Sequence, residues 1–288
     1  MIKAAKLILP VFFFGLAVCG LSAQTIQNGQ SLAFMGDSIT SQGAGSQAGY
    51  VNLVIIGLKA NGINVKAIPA GISGHKSNQM LERLDRDVIK KKPDWMTLSC
   101  GVNDVWHGAG GVPLEDFKKN ITEIVNRAQQ AGIKVMILTA TMITEDQSKE
   151  NNQKLQAYND FLRKLAAEKQ CLLADLNAAM QTEIQKRGGY SSQENRLTND
   201  GVHMNPNGDR MMARGILRTF GLNDVQVAAA EKVWLALRCP VYANAGLTLA
   251  QYDRLSAVAA QKQQPLPQML DKAFKETIDR LLSVPVDK

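Results

Sequence analysis

The sequence is poor in the residues that build metal centres and covalent crosslinks. Histidine occurs three times and cysteine four times in 288 residues, with no Cys-x-x-Cys pair and no His-x-x-x-His pair. That excludes the usual ligand patterns of a structural zinc site. Cys19 lies in an apolar leader, which leaves Cys100, Cys171 and Cys239, an odd set without paired spacing. A disulfide framework is excluded on that count, and Cys100 and Cys171, set in apolar runs, read as small core residues. Aromatic residues make up only 6% of the chain. The net charge is +7, but the cations are scattered, and the one tight run is Lys90-Lys91-Lys92 before Pro93. A nucleic-acid footprint needs a face or stripe of basic residues, so no nucleic-acid partner is expected. The lysine run suits a solvated helix C-terminus, where cations meet the negative end of the dipole. There is no fixed-period repeat, and after the leader no apolar run is long enough to span a bilayer.

The leader itself is the first positive feature. Lys3 and Lys6 precede an apolar stretch from Leu7 to Val18, and Leu21-Ser22-Ala23-Gln24 places a small residue before a cleavage point. This reads as a secretory signal peptide over residues 1–23, which makes the mature protein secreted or periplasmic. Leu16-Ala17-Val18-Cys19 loosely resembles a lipobox, so anchoring at Cys19 is the alternative, although Val18 is a poor residue for that cleavage.

The remainder alternates short apolar runs with longer amphipathic ones. Strands are expected at Ser31–Met35, Val65–Ile68, Trp95–Cys100, Val135–Thr139 and Leu172–Leu176. Each is almost wholly apolar, as a strand covered on both faces should be. Helices are expected at Tyr50–Ala60, Ser77–Lys91, Leu114–Ala131 and Asn151–Lys169. Such alternation implies right-handed crossovers and a parallel sheet between two layers of helices, with ligands beyond the carboxyl ends of the strands. From Asp224 onward only helical patterns remain: Val225–Leu237, Leu249–Ala260 and Pro267–Leu282.

Unusual residues cluster just after the expected strands, beginning with Gly36-Asp37-Ser38. Gly43-Ala44-Gly45-Ser46-Gln47-Ala48 fits the spacing of a dinucleotide-binding turn, but Gly43 lies too far beyond Met35 to form the tight turn that the phosphates require. The second strand also lacks a terminal acid for a ribose, so this reading fails.

A nucleophilic serine needs a base, and the base needs a group that fixes its tautomer. Asp200 and His203 stand three residues apart, and one helical turn would put them on the same side. Histidine has the intrinsic pKa for such work at neutral pH. Acyl transfer also needs donors around the developing oxyanion. The turn Gly71-Ile72-Ser73-Gly74-His75 offers an unobstructed backbone N–H, and Gly101-Val102-Asn103-Asp104 offers a side-chain amide.

Gly36-Asp37-Ser38-Ile39, Gly71-Ile72-Ser73-Gly74, Gly101-Val102-Asn103-Asp104 and Asp200-Gly201-Val202-His203 together resemble the four blocks of the SGNH, or GDSL, hydrolase superfamily, in the same order. Ile39 stands where the family name has leucine. The resemblance spans Leu32 to Gly221. It implies an α/β fold, a three-layer α/β/α sandwich with a five-stranded parallel sheet, over residues 24–223, leaving 224–288 as a helical C-terminal extension. It implies Ser38 as nucleophile, His203 as base and later acid, and Asp200 as its orienting carboxylate. The oxyanion hole would be the Ser38 and Gly74 N–H groups with the Asn103 side chain. Asp37 would brace the nucleophile loop and Asp104 the Asn103 loop. His75, Trp106 and His107 neighbour these residues and are candidates for substrate contact. The expected activity is ester hydrolysis through an acyl-enzyme, without metal or organic cofactor. O-acetyl groups on carbohydrates are the favoured substrates, with a lysophospholipase-like or general short-chain esterase as the alternative. A module that keeps the fold, binds carbohydrate and has lost turnover is the alternative of another class. The partner is thus a glycan or other small ester, and the oligomeric state is left open.

Overall fold

The middle apolar run, Trp95–Ser99, is buried at every residue, the mark of a strand with sheet on both sides and helices on both faces. The computed structural model describes residues 26–237 and 249–284. The chain divides into two units, Met1–Pro240 and Val241–Lys288. The expected leader and the Cys19 alternative lie outside the described residues, as does Cys239.

The first unit holds five strands, β1 (Ser31–Gly36), β2 (Lys66–Gly71), β3 (Trp95–Ser99), β4 (Lys134–Leu138) and β5 (Leu172–Ala174). All pair in parallel, in the order β2-β1-β3-β4-β5. Its helices are α1 (Ser38–Gly45), α2 (Tyr50–Ala60), α3 (Ser77–Asp87), α4 (Val102–Trp106), α5 (Leu114–Gln130), α6 (Glu150–Glu168), α7 (Leu176–Lys186), α8 (Pro206–Thr219) and α9 (Asp224–Trp234), with 3-10 turns at Ile89–Lys91 and Gly108–Gly110. The crossover from β1 to β2 runs one way along the sheet, and every later crossover runs the other way. Right-handed connections then place α2 on one face and α3, α5 and α6 on the other. The packing agrees: α3 meets α5 and α5 meets α6, while α2 meets α8 and α9 and α7 meets α8. The expected three-layer α/β/α sandwich is the fold observed. The reversal falls between β1 and β3, which opens the crevice at their carboxyl ends.

Sequence explains the edges as well as the centre. β2 pairs only with β1 and carries Pro69 opposite Phe34, a position open to proline because this strand lies at the sheet margin. Phe34, Tyr50, Phe117 and Phe220 are fully buried; each such side chain contributes about 1.5–3 kcal/mol through removal from water.

Strand β2 runs on to Gly71, and the helix expected over Ser77–Lys91 ends at Asp87 before a 3-10 turn; three further expectations change. β5 stops at Ala174 rather than Leu176, because the Asp175 carboxylate accepts from the Ala178 N–H and starts α7 at Leu176. Asp200 and His203 do not share a helical turn but sit in a loop closed by the bridge between Thr198 and Met204. The extension begins later than residue 224. Helix α9 belongs to the first unit: Trp234 is buried, its ring N–H donates to the Leu53 carbonyl at 3.0 Å, and α9 packs on α2. The second unit holds α10 (Leu249–Gln261) and α11 (Leu266–Leu282). Cys100 and Cys171 are free thiols. Among the described residues no helix is long and apolar enough to cross a membrane.

Candidate active site

The chain leaves β1 at Gly36 and turns at once into α1. Asp37 caps that helix, its Oδ1 accepting from the Ile39 N–H at 3.0 Å. Ser38 is the first helical residue, so its side chain and its N–H stand at the positive end of the helix dipole. Burial pushes the Asp37 carboxyl up to about 6; the Ile39 N–H opposes this, the Asp104 charge reinforces it and His203 opposes it. The Thr40 hydroxyl meets the Tyr50 hydroxyl at 2.8 Å and fixes α1 to α2.

The second strand end presses on the same helix. A Cβ on Gly71 would lie 2.4 Å from the Ser41 backbone nitrogen, so only glycine allows β2 to pass this close. Gly74 then turns the chain with φ of +77°, a left-handed conformation that glycine takes without strain. Among the described residues neither the Ser38 N–H nor the Gly74 N–H has an acceptor within the chain.

Asn103 lies on α4, directly beyond β3, and is buried. Its amide NH2 donates to the His75 carbonyl at 3.2 Å, and its Oδ1 lies 3.3 Å from His107 Nε2. With NH2 as donor, Oδ1 is the acceptor and His107 presents Nε2–H. The neighbouring Asp104 reaches further than its own loop: Oδ1 accepts from the Ser77 N–H at 3.0 Å and Oδ2 from the Cys100 thiol at 3.4 Å. It therefore ties α4 to the start of α3. Burial raises its carboxyl, against the hydrogen bonds from Ser77.

Arg83, 4% exposed, was invisible in the sequence. Its guanidinium donates to the Gly36 carbonyl at 2.8 Å, to the Ala70 carbonyl at 2.8 Å and to Asp87 Oδ2 at 2.9 Å. Its Nε–H donates to His75 Nδ1 at 3.1 Å. One buried cation thus fastens the ends of β1 and β2 and fixes His75 as the Nε2–H tautomer. Burial first, and then the Arg83 charge, hold the His75 pKa below its usual value.

An imidazole reaches the same crevice from a loop 165 residues further along the chain. Asp200 Oδ1 accepts from the Val202 N–H at 3.0 Å and the His203 N–H at 2.8 Å, which curls the loop around the carboxylate. Oδ2 meets His203 Nδ1 at 2.6 Å, and His203 Nε2 meets Ser38 Oγ at 2.9 Å. Partial burial pushes the Asp200 carboxyl up, but the His203 ring and the two backbone N–H groups outweigh it and hold the carboxyl below its usual range. An ionised Asp200 accepts Nδ1–H, leaving Nε2 free to accept the Ser38 proton.

The structure therefore brings Ser38, His203 and Asp200 into one hydrogen-bonded line, and seats Asn103 beside the Gly74–His75 turn. His75 and His107 both touch this framework rather than standing apart from it. Trp106 is 43% exposed, with its ring centroid 6.1 Å from that of His107. Among the described residues no cluster of three or more His, Cys, Asp or Glu side chains is arranged to hold a metal ion.

A family model, the GDSL-like lipase/acylhydrolase family, matches residues 34–211. An acetylxylan esterase of Geobacillus stearothermophilus is 27% identical over 220 residues, covering 70% of this chain and 98% of that protein. Esterase TesA of Pseudomonas aeruginosa is 30% identical over 110 residues, 38% of this chain and 53% of its own. Among solved structures, the acetyl xylan esterase AlAXEase superposes with a TM-score of 0.62 at 33% identity, covering 65% of this chain and 98% of that one.

Proposed function

The chain belongs to the GDSL-like lipase/acylhydrolase family and is a carboxylic ester hydrolase, and from that premise we propose that Ser38 removes O-acetyl groups from a carbohydrate of the xylan type. In the first step His203 Nε2 takes the Ser38 proton as Oγ attacks the ester carbonyl carbon. The oxyanion that forms accepts hydrogen bonds from the Ser38 N–H, the Gly74 N–H and the Asn103 NH2. Collapse of the tetrahedral species breaks the bond to the sugar oxygen, which leaves with the proton from His203. Water then gives a proton to His203 and attacks the acetyl-serine, and a second collapse releases acetate and restores Ser38.

The observation that supports this reading is the line from Asp200 Oδ2 through the imidazole to Ser38 Oγ, 2.6 Å and 2.9 Å. The acetyl and glycan preference rests on the acetylxylan esterases, which match over nearly their whole length. The test is acetate release from acetylated xylo-oligosaccharides beside aryl esters of graded chain length. Wild type should release acetate, and Ser38→Ala should fall to the uncatalysed background. Equal turnover by Ser38→Ala would remove the serine mechanism, and a preference for long acyl chains would remove the substrate. We further propose export with cleavage after Ala23. Mass analysis of the mature chain should find Gln24 at its start, and a lipid-modified Cys19 would overturn this.

A further inference from the structure

Glu145 lies in the segment that follows β4 and is 2% exposed. Buried carboxylates are costly unless their lone pairs are filled. Here they are. Oε2 accepts from the Arg196 N–H at 2.7 Å. Oε1 accepts from the Leu197 N–H at 2.7 Å, the Thr198 N–H at 2.8 Å and the Thr198 hydroxyl at 2.9 Å. All four donors belong to the strand of chain that leads into the loop of Asp200 and His203. The Thr198 hydroxyl passes the connection on, accepting from the Gly201 N–H at 3.1 Å. Gly201 stands between Asp200 and Val202.

The turn that presents Glu145 is itself held firmly. Thr144 has φ of +66°, a conformation that is unfavourable for a β-branched residue and persists only where surroundings impose it. Asn152 on α6 imposes it: its Oδ1 accepts from the Ile143 N–H at 2.8 Å, and its NH2 donates to the Thr144 carbonyl at 2.9 Å and the Asp146 carbonyl at 2.8 Å. A Cβ on Gly201 would lie 3.1 Å from Thr144 Cα, so the two turns are in close contact.

We infer that Glu145 is a positioning residue, which sets the Asp200–His203 loop at the distance that the Ser38 hydroxyl requires. It touches neither substrate nor reacting atoms. The inference rests on the proposed roles of Ser38, His203 and Asp200. A carboxylate suits this place because it accepts only; an amide of the same shape would turn an N–H against one of the backbone donors.

The experiment compares Glu145→Gln and Thr198→Val with wild type on an acetyl ester. Thr198→Val removes only the relay hydroxyl, so it remains informative if Glu145→Gln folds poorly. Each variant should lower kcat, Glu145→Gln by about 10- to 100-fold, with KM nearly unchanged, as small misplacements of a catalytic group do. The low-field proton resonance of the Asp200–His203 hydrogen bond should move upfield or broaden. Placed in a His203→Ala background, Glu145→Gln should cost little more, because the group it positions is gone. Trp234→Phe, which removes the bond to the Leu53 carbonyl and no bond of these loops, serves as the control for mere loss of stability and should keep its kcat. Unchanged kcat in both variants, an unmoved resonance, or a loss equally large without His203 would overturn the inference while leaving the serine mechanism standing. Activity surviving in Ser38→Ala would instead bring down that mechanism, and this inference with it.

Discussion

Asp37 stands between the strand that ends at Gly36 and the serine that follows, and its carboxyl is raised to about 6 by burial. The folded state therefore prefers the protonated acid. The stability it lends is complete below about pH 4, the usual carboxylate value, and is lost as pH rises through 6. Asp209 behaves alike: burial, only partly opposed by the Tyr50 N–H, raises it to about 7. Asp87 runs the other way. Hydrogen bonds from Arg86, and then from Arg83, outweigh its partial burial and lower it to about 2, so its contribution is present above pH 4 and fades toward pH 2. Asp37→Asn keeps an acceptor for the Ile39 N–H but carries no charge. Its unfolding free energy, read by urea denaturation, should match wild type near pH 4 and exceed it at pH 8, by up to about 3 kcal/mol for a shift of this size. Parallel stability curves across that range would mean that the carboxyl titrates normally. At this scale the serine, histidine and aspartate stood out through the four blocks that resemble the superfamily, the Asp200–His203 spacing being a weak signal by itself. Arg83 and Glu145 carry no motif, since a single cation on a helix or a single acid after a strand looks like any surface charge until the fold buries it.

Among elements, legibility followed apolar periodicity. Helix α2 was read to its ends, Tyr50–Ala60, because its buried face repeats cleanly. No apolar pattern marks helix α1: it has only eight residues and includes Gly43 and Gly45, and its reason to be helical is the Asp37 cap rather than an apolar stripe. Helix α8 is not among the expected helices; Asn205 caps it, accepting from the Asn207 and Gly208 N–H groups, with Pro206 as its first residue. The Asp200–His203 pair was placed on one side correctly but for the wrong local reason, because a carboxylate-centred loop achieves what a helical turn was expected to do. The tight seat of β2 on α1 makes a prediction at this scale. In Gly71→Ala the new methyl meets the Ser41 backbone nitrogen at 2.4 Å, and neither element can yield without moving Ser38. A loss of about 1–3 kcal/mol is expected from such overpacking, read by urea denaturation, together with a fall in kcat. A variant that is fully stable and active would mean that the contact is slack.

For the whole molecule, the reversal of strand order gathers groups distant in sequence into one crevice: Ser38 follows β1, Asn103 follows β3, and His203 reaches Ser38 across 165 residues. The alternation of strands and helices made that reversal foreseeable in kind, whereas the boundary of the first unit was not, since the attachment of α9 shows only in the fold, where Val227, Ala230 and Trp234 are buried, the Trp234 ring N–H donates to the Leu53 carbonyl and the Asn61 amide donates to the Gln226 carbonyl. A chain ended after Leu222 should therefore melt at lower temperature and lose activity, because α2 loses its cover. One ended after Pro240 should keep its melting temperature and its hydrolysis of a small aryl ester. Equal behaviour of the two truncations would mean that α9 is dispensable.

Pro69 has a consequence beyond the geometry of its own strand. The Lys66 and Ile72 N–H groups donate inward, to the Gln30 and Gly36 carbonyls, and alternation along a strand then turns the nitrogen of Pro69 toward the open margin. That margin lacks a donor midway along its length, so a strand from another molecule cannot zip onto it without leaving a carbonyl unanswered. The proline thereby guards a crowded solution of this protein against sheet-to-sheet aggregation.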